Sequence, residues 1–120
     1  MTVRIQRIYE EASEDGGRRI LVDRLWPRGI SKAKAQIDYW AKEIAPSNQL
    51  RRWYQHDPEK WDEFRRRYFQ ELDDNAQAVS ELRAHMMGAD TVTFLYSSKE
   101  RSLNNATALR QYLETGSSEG

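Results

Sequence analysis

A short apolar stretch that runs directly into charged and turn-forming residues constrains the fold of this chain more than any other feature. Residues 20–29 read ILVDRLWPRG, and their apolar beginning predicts a strand buried on both faces, as in the centre of a parallel sheet. Asp23, Arg24 and Arg28 would then emerge at its carboxyl end, beside a bend imposed by the proline and glycine of the same stretch. The stretch therefore predicts a central strand that delivers polar side chains to a site.

Two further segments have the composition of strands. Residues 3–9 alternate apolar and polar side chains, which predicts a first strand with one half-solvated face. Residues 91–96, TVTFLY, are β-branched and aromatic, which predicts a second core strand. Residues 10–17 end in Asp-Gly-Gly, a strong turn signal. A tight hairpin there would pair the first two strands antiparallel, whereas a looser connection would not, so the direction of the first strand stays open.

Capping residues and the helical spacing of apolar side chains predict four to five helices. Ser31 can cap a helix that carries Trp40 on its apolar stripe and ends at Ala45-Pro46. The alternative is a loop followed by a short helix over residues 39–44, because residues 30–36 are weakly patterned. The later helices are predicted to begin at Ser47, Asp57, Asn75 and Ser102.

Length and composition predict a single domain without a membrane anchor or disulfides. The chain has 120 residues, of which 38% are hydrophobic and 32% are charged. We expect one domain over residues 1–115 and a disordered polar tail over residues 116–120. No apolar run approaches the roughly 18 residues that span a bilayer, and no secretory leader is visible, so we expect a cytoplasmic protein with no membrane partner. The absence of cysteine excludes disulfides, thiolate metal sites and a cysteine nucleophile.

Charge is balanced overall and uneven along the chain. Nineteen basic and nineteen acidic residues cancel, so the net charge does not steer the protein toward nucleic acid or an anionic membrane. Between Glu14 and Lys34, however, six basic residues face three acidic ones. This local excess indicates where an anion would prefer to bind.

Three segments of the chain carry a family pattern: DGGRRILVDRLWPRGISK, YWAKEIAPSNQLRRWYQHDPEKWDEFRRRYFQEL and TVTFLYSSKERSLNNATALRQYL. With four tryptophans and the pairs Trp-Pro, Pro-Ser and Asn-Asn in order, the sequence resembles the YeaO-like family of small bacterial proteins, a family of unknown function. The resemblance covers nearly the whole chain. It implies an α/β fold with a small, largely parallel sheet, here of about three strands flanked by four to five helices. It brings no established activity.

Two loops are predicted to form a ligand site, because ligands of open parallel sheets bind beyond the carboxyl ends of the strands. Asp23 and Ser97 are the candidate catalytic residues, with Asp23 as an acid/base or metal-facing carboxylate. The candidate ligand-binding residues are the cationic, aromatic and amide side chains of the same loops, namely Arg24, Trp26, Arg28, Tyr96, Lys99, Arg101 and Asn104. Arginine and the start of a helix both attract phosphate. The predicted ligand is a phosphate-bearing small molecule or a nucleotide.

Simpler interpretations of these residues remain open. Asp23 can pair with a neighbouring arginine, Lys99 and Arg101 can be solvated, and Asn104 and Asn105 can serve only to cap a helix. The strand, polar loop and helix around Ser97 also describe the architecture of cysteine phosphatases and sulfurtransferases, with serine at the place of the nucleophile.

The sequence gives less support to a catalytic site or a metal site than to an anion-binding site. A nucleophilic serine needs a base, and a Ser97, His56 and Asp23 arrangement gains no support from the spacing of these residues. Two isolated histidines cannot build a typical zinc site, although Asp23 could hold magnesium together with a bound phosphate. No metal ion and no cofactor is predicted.

The sequence is also compatible with two functions other than that of a binding protein or enzyme for phosphorylated small molecules. The first is a nucleic-acid-binding accessory module that uses the same basic residues and an exposed Trp26. The second is a non-catalytic interaction domain. No helix with a basic recognition face is visible, so a transcription-regulator role gains no support. The oligomeric state is not readable from these residues.

Overall fold

The computed structural model describes residues 1–115, which form a four-stranded sheet and five α-helices. The strands are β1 (Thr2–Arg7), β2 (Arg18–Leu21), β3 (Tyr39–Trp40) and β4 (Thr91–Tyr96). The helices are α1 (Lys32–Ala35), α2 (Asn48–Tyr54), α3 (Trp61–Asp73), α4 (Ala76–Met86) and α5 (Asn105–Thr115). The α/β class is confirmed, with one strand more than predicted. The predicted tail over residues 116–120 lies outside the described residues.

All four strands run parallel in the order β1-β4-β2-β3. Phe94 of the central strand β4 is opposite Ile5 of β1 on one side and Ile20 of β2 on the other. The first strand therefore pairs with the last strand and not with β2, and the Asp-Gly-Gly turn does not close a hairpin. Because β2 and β4 are parallel neighbours, the segments that leave their carboxyl ends emerge side by side.

The central strands are buried on both faces, as the apolar stretch predicted. Ile20, Val22 and Phe94 belong to the larger core, which α2 to α5 cover, whereas Leu21 and Leu95 belong to a smaller core on the other face. Successive side chains of a strand point to opposite faces, so this division follows directly from the strand period of two. The sheet therefore lies between a layer made of α2 to α5 and a thinner layer that includes α1.

The prediction of one helix from Ser31 to Ala45 is wrong. Ser31 does cap a helix, since its Oγ accepts a hydrogen bond from the Lys34 N–H at 3.1 Å, but α1 ends after one turn. Gln36 follows in the left-handed region with φ of 52°. Trp40 then belongs to the edge strand β3, where it pairs with Leu21 of β2, and it does not lie on the apolar stripe of a helix. Tyr39 and Trp40 are aromatic residues, which favour strands, and pairing with β2 stabilises them there.

A buried arginine of β2 holds the end of α1, which leads into the edge strand β3. Arg19 on β2 is 7% exposed, and its guanidinium donates hydrogen bonds to the carbonyl groups of Ala35 and Gln36 and to the side chain of Gln6. Burial lowers the pKa of Arg19, and the nearby carboxylate of Asp38 partly opposes this shift. These contacts satisfy the free carbonyl groups at the end of α1.

The predicted helix starts are met with one exception. Ser47 caps α2, Asp57 caps a 3-10 turn that leads into α3, and α4 begins directly after Asn75. The prediction that α5 begins at Ser102 is wrong, because the cap is Asn104, whose Oδ1 accepts from the N–H of Thr107 at 3.0 Å. An asparagine and a serine are equally good caps, so the sequence alone did not separate them. Within residues 1–115 no helix has the length and apolar character needed to cross a bilayer.

Candidate functional site

A cavity of about 410 Å³ lies beyond the carboxyl ends of β2 and β4. Its wall includes residues 23–28, which follow β2, and residues 97–99, which follow β4. The sheet continues to the edge of the cavity, since the N–H of Val22 donates to the carbonyl of Leu95 at 3.0 Å. The two loops that the sequence pointed to therefore share one concave surface, at the place where open parallel sheets bind ligands.

Asp23 joins three segments at the base of this cavity. Its Oδ2 accepts hydrogen bonds from the backbone N–H and the Oγ of Ser97, at 2.9 and 2.8 Å. Its Oδ1 accepts from Nδ2 of Asn105 at 3.0 Å, and the same amide donates to the Val22 carbonyl at 3.2 Å. Both oxygens of the carboxylate are thus occupied by contacts that tie β2 to the β4 loop and to α5.

The charge around the cavity is strongly positive. The described residues that line it include five permanent cations, which are Arg7, Arg24, Arg28, Arg51 and Lys99. The same lining includes one carboxylate, that of Asp23. Leaving aside His56, the lining carries an excess of four formal positive charges. An anion entering the cavity would meet this field in a partly desolvated place, where charges interact more strongly than in water.

Two of these arginines are held in place by backbone carbonyl groups. Arg7 donates from Nε to the carbonyls of Ser97 and Ser98, at 3.2 and 3.0 Å, so its guanidinium lies against the β4 loop. Arg24 donates from Nη2 to the carbonyl of Ala45 at 3.0 Å. Its Nε is buried and has no hydrogen-bond partner among the described residues.

Two other cations are free to meet a ligand. Arg28 and Lys99 are exposed, and neither side chain forms a hydrogen bond or an ion pair with any residue in the described range 1–115. Such side chains contribute little to folding, because long solvated cations lose conformational entropy when they are fixed. Their presence at the cavity is explained more readily by an anion than by stability.

Aromatic and aliphatic side chains form the rest of the wall. Tyr54 and Phe64 are buried and stack with ring centroids 4.2 Å apart. The Tyr54 hydroxyl donates to the Leu103 carbonyl at 2.7 Å, and burial together with nearby carboxylates raises its pKa to about 12. Trp26 lies between the cavity and the smaller core, where it meets the ring of Trp40 at 5.5 Å. The cavity therefore combines a cationic lining with a large apolar surface.

Three of the predicted ligand-binding residues do not line the cavity. The Tyr96 ring is buried, and its hydroxyl lies 3.5 Å from the Arg101 carbonyl. The Arg101 guanidinium forms an ion pair with Glu10. The Asn104 side chain is fully buried and caps α5. The other predicted residues of the site, Asp23, Arg24, Trp26, Arg28, Ser97 and Lys99, line it together.

Two cavity cations were missed from the sequence. Arg7 is the last residue of β1, and because β1 is parallel to β4 its end reaches the same edge of the sheet. A firm assignment of the direction of the first strand would have revealed it. Arg51 comes from α2, and nothing in the local sequence marks it as a cavity residue.

The residues needed for nucleophilic catalysis are divided between two contacts. Ser97 Oγ is bound to Asp23, whereas His56 Nε2 lies 3.5 Å from the Oγ of Ser98. The carboxylate and the imidazole therefore contact different serines, and the arrangement of Ser97, His56 and Asp23 considered from the sequence is not assembled. Among the residues described by the structure, no group of three or more histidines and carboxylates is placed to hold a metal ion.

Comparisons with known proteins identify relatives of unknown function. The family described as the inactive DUF488-N3 subclade matches residues 2–119. An uncharacterised protein of Mycobacterium tuberculosis, Rv3073c, is 44% identical over 111 residues, which are 92% of each chain. The uncharacterised protein YeaO of Escherichia coli is 38% identical over 115 residues, which are 96% of this chain and 99% of YeaO. No solved structure matches the chain.

Proposed function

Since this chain belongs to the YeaO-like DUF488-N3 family of bacterial proteins, in the subclade described as inactive, we propose that it is a binding protein and not an enzyme. Its ligand is a phosphate-bearing small molecule, held in the cavity between residues 23–28 and 97–99. The observation that carries this proposal is the excess of four positive charges on the wall of one partly open cavity.

The types of cation in the wall support a phosphate ligand. Arginine presents a planar fork of donors that matches two phosphate oxygens, and lysine adds a mobile point charge. Arg7 is already fixed by its Nε contacts, so binding a phosphate through its two terminal nitrogens would cost little conformational entropy. A single phosphate group with two negative charges suits a cavity of this size better than a polymer, which would need an open groove.

The contacts of Ser97 support binding without turnover. A serine nucleophile must pass its proton to a neighbouring base that can keep it, as histidine does in the usual triads. Here the Ser97 hydroxyl donates to Asp23, whose oxygens already accept two other hydrogen bonds that hold the fold. Moving a proton to that carboxylate would weaken these structural contacts at the same moment.

Calorimetric titration with ribose 5-phosphate and adenosine monophosphate (AMP) tests this function. We expect at least one of the two to bind, and Arg28→Ala and Lys99→Ala each to weaken that binding by about tenfold, the worth of one charge-assisted hydrogen bond. Lys34→Ala is the matched control, because it removes an exposed cation on α1 that does not line the cavity. An equal loss in the control, or no binding of either compound, would contradict the proposal.

Two further measurements separate the alternatives. Affinity for one phosphate should fall only slightly with rising salt, whereas a nucleic-acid-binding module releases many counterions and its affinity falls steeply. A steep slope with a single-stranded oligonucleotide, absent for the small phosphates, would favour the nucleic-acid function. Hydrolysis of p-nitrophenyl phosphate that disappears in Ser97→Ala would overturn the assignment as a binding protein.

A further inference from the structure

The cavity has two chemically different parts. One part is the β4 loop, where Arg7 is fixed against the carbonyls of Ser97 and Ser98 and where the free Lys99 follows. This part offers donors and positive charge to an anion. The other part is apolar and comes from the segment after β2, which places Leu25, Trp26 and Pro27 in the wall. A ligand that satisfies both parts must carry an anionic group and an apolar surface.

The mouth of the cavity exposes apolar side chains that the fold itself does not cover. Leu25 is 63% exposed and Tyr9 is 42% exposed, and both line the cavity. Within residues 1–115 the other large hydrophobic side chains with such exposure are Met1 and Met87, and neither lines this cavity. Exposed apolar surface beside a cavity is typical of a place that a ligand covers.

The Tyr9 ring is held ready for such a contact. Its hydroxyl donates to the Arg28 carbonyl at 2.8 Å, which ties the segment after β1 to the segment after β2. The Arg7 guanidinium lies over the ring, 4.7 Å from its centroid. The same arginine therefore contacts both an aromatic ring and the anion-binding loop, so an aromatic group and an anionic group of one ligand would lie close together.

Resting on the function proposed above, we infer that the ligand is a nucleoside monophosphate. Its phosphate binds Arg7 and Lys99, and its base lies against Tyr9 and Leu25 at the mouth. A base has a flat apolar face that stacks on aromatic side chains, whereas a sugar phosphate has none. The volume of about 410 Å³ falls in the range of small-molecule sites, and it suits one nucleotide.

Calorimetric titration with AMP and with ribose 5-phosphate tests this inference on the full chain. We expect AMP to bind at least about fivefold more tightly than ribose 5-phosphate, because stacking of one base contributes that much or more. Leu25→Ala should weaken AMP binding by about fivefold, the worth of roughly one buried methylene group. The same variant should leave the affinity for ribose 5-phosphate within twofold.

Met87→Ala is the matched control, since Met87 is 72% exposed and lies after α4, away from this cavity. Leu25 is itself mostly exposed, so its replacement is not expected to unfold the protein, and circular dichroism would verify this. If ribose 5-phosphate binds as tightly as AMP, or if Leu25→Ala weakens both equally, the nucleotide inference falls while phosphate binding stands. If neither phosphate binds, both proposals fall.

Discussion

The carboxylate of Asp23 connects the ends of β2 and β4 to α5, and replacing it with asparagine tests whether that connection holds the cavity in shape. In the wild type its two oxygens accept three hydrogen bonds, two from Ser97 and one from Asn105. Asparagine has one carbonyl oxygen. If that oxygen keeps the hydrogen bonds from Ser97, the amide nitrogen of the new asparagine faces the amide nitrogen of Asn105, and two donors meet. Asn105 cannot turn without losing its own bond to the Val22 carbonyl.

The expected cost follows from these contacts. One hydrogen bond to a charged group is worth about 1.5–3 kcal/mol, so Asp23→Asn should lower the free energy of unfolding by about 2 kcal/mol. Asp23→Ala removes all three bonds and should cost about 4 kcal/mol, with some relief from water because the site is only partly buried. For a domain of this length, each kcal/mol lowers Tm by roughly 4 °C.

Urea unfolding followed by tryptophan fluorescence measures this cost. The control is Asp62→Asn, because Asp62 is an exposed carboxylate that pairs with Arg65 on the surface of α3, and its loss should change stability by less than about 0.5 kcal/mol. A double-mutant cycle of Asp23→Asn with Ser97→Ala should be non-additive, since both changes remove the same contact.

Equal stability of Asp23→Asn and the Asp62→Asn control would refute this role for Asp23. If Asp23→Asn were stable but failed to bind phosphate compounds, the carboxylate would act on the ligand directly, as a metal-facing or acid/base group would.

Two other predictions concern the backbone near the sheet and the surface of α3. Gly17 has φ of +67°, and a Cβ there would lie 2.0 Å from the Thr91 carbonyl oxygen, so Gly17→Ala should destabilise the protein by more than about 3 kcal/mol in urea unfolding. Gly29→Ala is the comparison, since Gly29 has φ of +75° in open space and should cost only about 1 kcal/mol. Hydrogen bonds from two arginines lower the pKa of Glu63 from 4.5 to about 2, so it adds stability above its ordinary pKa that is lost as the pH falls toward 2. Glu63→Gln should therefore lose less stability than the wild type between pH 5 and pH 2, and an equal loss would contradict this assignment.

The features that could be predicted from the sequence are those that local chemistry decides. The run from Ile20 to Val22 has no polar residue to face water, so only a central position in the sheet buries it. The charged residues that follow must then lie beyond the carboxyl end of this strand. Trp40 was misplaced because its strand is two residues long and depends on β2 for its hydrogen bonds. Such a strand has too few residues to show a period of two. Arg7 was missed for a related reason, since its position depends on a strand direction that a distant partner, β4, decides.

The same dependence on distant partners explains why the cavity could be located but not fully described. A loop cation keeps its full charge for a ligand only when no neighbouring carboxylate pairs with it. Arg101 is adjacent to the right loop in sequence, but Glu10 on the segment after β1 pairs with it. Lys99 and Arg28 meet no such competitor within residues 1–115, and so they stay at the cavity as uncompensated charges. Exposed cations of this kind contribute little to stability, and the proposed ligand, with an anionic group and a flat apolar group, would contact both the cations and the apolar wall at once.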